Sequence, residues 1–509
     1  MPARFIRSPA LAPFLFTLGI LAFWIFQYGP HWPYRDGFIY FHALDELTDG
    51  RLSASRLLIS HDNQHPIAFQ LVVAILFLKA FPGNVWPMIA ANAVMLWLSA
   101  VVLYMVAAQS LTSYWHRLAL ACLICASTLI GSQTSSLLWE FQIWFYSTLL
   151  LLALNIALTE RFGLKAYPVV ILFCIFATGN EAQGAFLWLI GAVHILYIAI
   201  SSGKRGDRVA GLAILASHII IFSVLALIMN NLEYTDAPRD VFNAHFIDKV
   251  VYGVQLVGGG FGVRNQNAAF AFGVLSLVAW GMGLVFAIRR RFSCVIDRVA
   301  FLVSAVSLMW CAAFTVGRAS FGIAWAFGEF HASLMLIPLY SGIGMYSVSM
   351  LTQSRIAWRA AGACLGIFVI APVVTGIPFA IQRSEYIRDN SLLDVALDCT
   401  GSSVKDPFMR SLCGINNRSA DASSILRLPT YYEQIIAGEE GASDALHALW
   451  RVYLSRQDLR DAFSPSDPNF AMNLLRWGAV EASHERKDDS QALSQYASTF
   501  QSLVKRLGL

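Results

Sequence analysis

Apolar positions in this chain run in long unbroken blocks rather than in alternating or narrow periodic stripes. The blocks fall at residues 9–28, 85–108, 118–131, 143–159, 166–178, 184–200, 209–230, 268–288, 299–316, 333–351 and 360–380. Most approach the ~20 residues an α-helix needs to cross the hydrocarbon core. In lipid a helix satisfies its own backbone donors and acceptors, so such blocks predict membrane-spanning helices, about eleven of them. The first block follows Arg4 and Arg7 and looks like a secretory signal, but it has no small-residue cleavage site and more spans follow. It reads as a retained first helix with its N-terminus in the cytoplasm. The apolar stretch 65–81 is bounded by Pro66 and Pro82 and carries Lys79. It reads as a helix lying at the outer interface, outside the count of spans.

Composition narrows the class further. Of 509 residues, 57% are hydrophobic and 13% charged, and the mean hydropathy is +0.57. Soluble domains carry about 25% charged residues. A soluble enzyme, a disordered chain and a basic nucleic-acid binder are therefore disfavoured. The net charge of +4 implies no polyanionic partner, but the placement of charge is informative. The segments assigned to the inner face hold 14 Lys and Arg, and the outer segments before residue 381 hold 8, as the positive-inside rule expects. Acids lean the other way. Only Glu160, Asp207 and Asp297 fall inside, whereas Asp36, Asp45, Glu46, Asp49, Asp62, Glu140, Glu181, Glu233, Asp236, Asp240, Asp248 and Glu329 fall outside. Acids contribute little to topology, so this clustering suggests a functional site on the outer face.

The sequence changes character near residue 381. The remaining quarter holds fourteen Lys and Arg and seventeen Asp and Glu. Leu446, Leu449, Trp450 and Tyr453 recur at helical spacing, as do Leu474, Leu475 and Trp477. The expected organisation is a transmembrane domain over 1–380 and a small soluble α-helical domain over 381–509, outside the membrane after an odd number of spans. Cys399 and Cys413 are the two cysteines in this polar region, and an oxidising compartment permits a disulfide between them. Cys122 and Cys125 form a CxxC within an apolar block, without partner ligands.

The first outer loop carries the densest chemistry. Asp36, beside Arg35, follows directly on the first span, within reach of a lipid headgroup. From Gly37 an amphipathic helix is expected, with Phe38, Phe41, Leu44 and Leu47 on one face and Asp45, Glu46 and Asp49 opposite. Asp36 at the junction of two helices suits a general base, and it equally suits an N-cap. The run HDNQH places His61 and His65 at metal-ligand spacing, though Pro66 argues against helix through them. Glu140, flanked by Trp139, Phe141 and Trp144, enters the membrane in the second outer loop. It reads either as a functional acid or as an anchor within an interfacial aromatic belt. Glu181 in TGNEAQG sits at the same depth. Arg318, Glu329 and His331 interrupt an apolar stretch. Arg318 suits a phosphate, or a structural pair with Glu329. Arg264 follows the run GGGFG at 258–262, which reads as a mobile loop because no strand precedes it and no GK[ST] follows.

This layout resembles the GT-C superfamily of integral-membrane glycosyltransferases, whose members take a sugar from a polyprenyl-phosphate donor at the outer leaflet. Asp36 matches the family's first-loop acid, the segments 38–50 and 65–81 match its interfacial helices, and Glu140 in LWEFQIWF matches its second acid. The segments QHPIAFQLV and GRASFGIAWAFGEFHASL resemble those of a bacterial branch of GT-C-like proteins, except that Glu329 and Phe330 stand where that branch has Arg-Tyr. The resemblance covers roughly residues 1–380 and implies an inverting, GT-C-type enzyme. It would act at the outer face of the bacterial inner membrane, moving the sugar to a cell-surface glycan or lipid-linked acceptor. Asp36 would act as base. Arg318, then Arg264, would stabilise the leaving phosphate, with Arg35, His65, Glu329 and His331 as further binding residues. Glu140 and Glu181 would orient sugar or acceptor, or hold a divalent cation, with no cofactor otherwise required. A flippase for lipid-linked sugar and a surface-polysaccharide polymerase or ligase are the competing readings.

Overall fold

The computed structural model describes residues 10–30, 68–81, 84–179, 182–201, 205–230, 245–263, 265–319, 334–401 and 495–507 as continuous stretches, with isolated positions between and beyond them. Regular structure among the described residues is entirely helical. In chain order it comprises α1 (Leu11–Tyr28), α2 (Ala68–Ala80), α3 (Trp86–Ala107), α4 (Tyr114–Thr128), α5 (Ile143–Phe162), α6 (Tyr167–Thr178) and α7 (Phe186–Ser201). It continues with α8 (Arg205–Asn230), α9 (Phe246–Gly258), α10 (Gln266–Arg289), α11 (Val295–Arg318), α12 (Ile337–Leu351), α13 (Ile356–Gly401) and α14 (Ala497–Leu507). Among the described residues, seven helical stretches are long and apolar enough to cross a membrane: Leu11–Tyr28, Trp86–Ser110, Glu140–Thr178, Arg205–Leu225, Gln266–Arg289, Val295–Val316 and Ile356–Glu385. Each of the eleven expected blocks carries helix, but α4, α6, α7 and α12 have only 15, 12, 16 and 15 residues.

Local sequence explains several boundaries. Asn265 caps α10 by accepting from the backbone N–H groups of Asn267 and Ala268, the usual office of an N-cap side chain. Pro338 occupies the first turn of α12, where a missing N–H interrupts no helical bond. Pro372 and Pro378 lie inside α13, which continues to Gly401, well beyond the span expected to end at 380. Prolines within apolar helices are tolerated where neighbouring groups satisfy the freed backbone.

The chain divides into two compact units. The first comprises Met1–Gly29, Ser53–Phe77 and Trp86–Ser384. Helices α1 and α3 run antiparallel, with Gly29 beside Trp86, and so do α5 and α11. Trp97 of α3 donates from Nε1 to the Phe14 carbonyl of α1 at 2.9 Å, and the Phe14 ring meets Tyr104 edge-on at 5.2 Å. Phe145 of α5 packs on Trp310 of α11 at 5.1 Å, while Glu160 and Arg298 join the opposite ends of the same two helices. The bundle thus has a Glu140 end and a Glu160 end.

At the Glu140 end, backbones replace side chains at the closest contact. A Cβ on Gly131 would lie 2.2 Å from the Gly376 carbonyl oxygen of α13. The GGGFG run is part of this packing, contrary to the mobile loop expected of it. The Phe261 ring stacks on Phe272 at 4.3 Å, and Thr375 donates to the Phe261 carbonyl at 3.0 Å. Gly262 has φ +66° and faces the Gly376 Cα, a conformation and a space that favour glycine.

The second unit comprises Pro30–Leu52, Leu78–Val85 and Glu385–Leu509. Most of its described positions are also helical, with Tyr40, Ala43 and Leu44 buried and Leu47 exposed. Leu449, Val452, Tyr453, Leu474 and Leu475 are buried, and Gly478 gives room to the Leu449 side chain. In α14, Phe500 and Leu503 face inward while Gln501 and Lys505 are exposed, an amphipathic stripe at i, i+3.

Candidate functional site

Between α4 and α5 the chain leaves long regular helix for fourteen residues, Leu129 to Gln142. It makes a 3₁₀ turn at Gly131–Gln133, one α turn at Thr134–Leu137 and a second 3₁₀ turn at Glu140–Gln142. The sequence GSQTSS explains the unwinding, since hydroxyl side chains offer the backbone alternative partners. Thr134 Oγ1 donates to the Gly131 carbonyl at 2.7 Å. Ser132, Gln133, Thr134, Ser136, Glu140 and Gln142 are all buried, and buried polar groups are tolerated when hydrogen-bonded.

Four elements brace this segment. Asn92 of α3 donates from Nδ2 to the carbonyls of Trp139 at 3.2 Å and Leu137 at 3.4 Å. Gln70 of α2 donates from Nε2 to the Phe141 carbonyl at 3.0 Å. Tyr146 of α5 donates to Gln133 Oε1 at 3.0 Å, and Gln133 donates to the Thr128 carbonyl at 2.6 Å. Ser132 donates to the Gly260 carbonyl at 3.2 Å. Each such bond is worth about 1 kcal/mol net, but stranding a buried partner costs about 1–3 kcal/mol. The turn carrying Glu140 is therefore held from every side by groups that cannot be removed cheaply.

Glu140 itself is 0% exposed. Trp139, Phe141 and Trp144 are buried around it, with the Trp139 and Phe141 rings stacked at 5.7 Å. The three aromatics are interior groups rather than a surface belt.

The Glu160 end shows a different use of acids. Arg298 donates from Nε to Glu160 Oε1 at 2.8 Å and from Nη2 to Oε2 at 2.7 Å, and His194 Nε2 lies 3.0 Å from Oε1. The Arg298 guanidinium also covers the Tyr197 ring at 5.4 Å and donates to the Phe292 carbonyl at 3.1 Å. Asp297 accepts from Ser349 at 2.5 Å and faces Arg290 at 3.3 Å. Arg291 and Phe292 take positive φ values of 55° and 51° in the short loop that brings both arginines to these acids. Sequence reasoning counted Glu160 and Asp297 only as minority inner acids. The Glu160 partner Arg298, 138 residues away, was beyond its reach. Asn92, Gln70 and Gln133 were also missed, although a polar amide inside an apolar block is a usable signal.

Asp36, Arg35, His65, Glu181, Arg264, Glu329, His331 and Cys413 lie outside the described residues. Arg318 closes α11 and Cys399 lies within α13, but their side chains are likewise outside the description. Among the described residues no group of three His, Cys, Asp or Glu side chains is placed to hold a metal ion. Compared with known proteins, the chain matches no family model, no curated protein and no solved structure.

Proposed function

We propose that the protein is a membrane glycosyltransferase of GT-C type, transferring sugar from a polyprenyl-phosphate donor to a glycan or lipid-linked acceptor at the Glu140 end of the bundle. The observation that carries this reading is the buried, braced, irregular turn at Glu140. At the Glu140 end a buried acid stands on an irregular turn braced from α2, α3, α5 and the Gly259–Phe261 turn. Irregular backbone inside an apolar bundle is costly and is tolerated where protein encloses it. Rigid bracing of this kind is what a reaction site needs around its reacting groups.

In this reading Asp36 is the general base and Arg318 meets the leaving phosphate, both on the grounds of sequence. Glu140 is a positioning residue beneath the site, because its full burial keeps it from substrate. The eleven apolar blocks all cross the membrane, the short ones with help from the turns that flank them. The Glu160 end, with Arg161, Lys165, Arg205, Arg289 and Arg355 near its loops, faces the cytoplasm. The segment after 380 is an extracytoplasmic helical domain.

The experiment is transfer of labelled sugar from a polyprenyl-phosphate-linked monosaccharide by purified protein in detergent, without sealed vesicles. Transfer supports the enzyme. Movement of lipid-linked sugar across a vesicle wall without transfer would establish the flippase instead. Transfer confined to preassembled lipid-linked oligosaccharide would indicate a polymerase or ligase.

A further inference from the structure

A lateral groove of about 500 Å³ runs between α1, α4 and α13, open along one side and lined almost wholly by carbon. Phe16 of α1, Cys122 and Ala126 of α4, and Ile370 and Val373 of α13 form its walls. Its volume falls in the range of ligand pockets, about 300–1,000 Å³. On α4 it extends from Leu118 to Leu129, about 16 Å of helix. The neighbouring surface is apolar as well, with Phe16 and Ile367 each 70% exposed and Val374 61%. Two of its three walls, α1 and α13, belong to helices long and apolar enough to cross a membrane, which makes lipid hydrocarbon the medium expected at the groove.

The two ends of the groove differ. Near Leu129 it stops short of the Gly131 turn. At the Leu118 end, Tyr114 continues the four-residue stripe of Leu118, Cys122 and Ala126 on one helix face. Tyr114 and Trp115 are exposed there and meet edge-on at 5.1 Å. Exposed Tyr and Trp at the end of an apolar helix mark headgroup level. Two exposed arginines stand on α4 and α13 toward this end. Arg117 precedes Leu118 and ties its Nε to the Leu111 carbonyl. Arg359 precedes Ile370 by three turns of α13, hence on the same face, and ties its Nε to the Gln353 carbonyl. Anchored by one nitrogen each, both guanidiniums are placed to present their remaining donors to an anion, which a guanidinium binds in forked geometry.

We propose that the groove holds one acyl chain of an anionic glycerophospholipid, with its headgroup against Arg117 and Arg359. The charged end of the groove lies at the far end of α4 from the Glu140 turn, so the occupant is a resident bilayer lipid and not the sugar donor. The exclusion of the sugar donor rests on the proposed site at the Glu140 turn; the groove and its arginines do not.

The test is native mass spectrometry of the purified full-length protein, titrated with phosphatidylglycerol, phosphatidylcholine or undecaprenyl phosphate. The wild-type protein is expected to retain one phosphatidylglycerol in preference to the other two. Ala126→Phe from α4 and Val373→Phe from α13 each fill the groove and should each reduce retention at least tenfold. The double variant Arg117→Gln/Arg359→Gln leaves the groove open and should lose the preference for phosphatidylglycerol over phosphatidylcholine, by roughly fivefold per arginine. Equal retention by both groove-filling variants, no preference between the two phospholipids in the wild type, or selection of undecaprenyl phosphate would each overturn the proposal. Should one groove-filling variant fail to fold, the other and the arginine pair still decide it.

Discussion

Arg298 holds both carboxylate oxygens of Glu160 across 138 residues of sequence, through parallel bonds of 2.8 and 2.7 Å. Glu160 is 6% and Arg298 17% exposed at the side chain, so this pair is largely withdrawn from water. Breaking such a pair is more damaging than replacing it, because the survivor is left as a buried lone charge. Glu160→Gln or Arg298→Met alone should destabilise the protein by about 3–5 kcal/mol, and Glu160→Leu/Arg298→Met together should recover most of that loss. Thermal unfolding of the purified proteins in detergent checks this. Single variants as stable as wild type would show that the pair is not a structural clamp.

The turn that carries Glu140 depends on Asn92. Asn92→Leu removes two donated bonds and leaves the Leu137 and Trp139 carbonyls to find other partners, at about 1–3 kcal/mol each. Amide hydrogen exchange should accelerate over 137–142 while α10 and α11 keep their protection. Unchanged exchange in the turn would mean that Asn92 does not brace it.

Gly131 and Gly376 meet backbone to backbone. A Cβ on either would fall within 3 Å of the other's backbone, so Gly131→Ala should sharply lower the yield of monodisperse protein. Gly19→Ala is the control, since nothing lies within 4 Å of that position. Equal yields from the two variants would contradict the close contact.

Glu140→Gln keeps the size of the side chain and replaces its carboxyl group with an amide. For a positioning residue, the account expects kcat to fall by roughly 10²-fold, the scale of misplacing a reacting group. KM and the unfolding temperature should change little. A rise in KM with kcat preserved would point instead to direct substrate binding by Glu140.

The helices were legible because the bilayer imposes a length on apolar blocks, and each block from 9–28 to 360–380 carries helix. Their ends were less so. α13 runs to Gly401 because its polar continuation still forms helix after the apolar pattern stops. The glycines at 258–262 misled because permissive backbone and close packing look alike in a sequence. Glu140 was singled out as an acid among aromatics, but its burial depends on α2 and α3, which contribute Gln70 and Asn92 from elsewhere in the chain. The clamp at Glu160 was invisible because it joins α5, α7 and α11.

The most direct measurement is the turnover of purified Asp36→Asn with a polyprenyl-phosphate-linked sugar and an acceptor, beside wild-type protein. The account predicts loss of about 10²–10⁴-fold, the contribution of a general base, with the fold and donor binding retained. Turnover equal to wild type would contradict the assignment of Asp36 as the base.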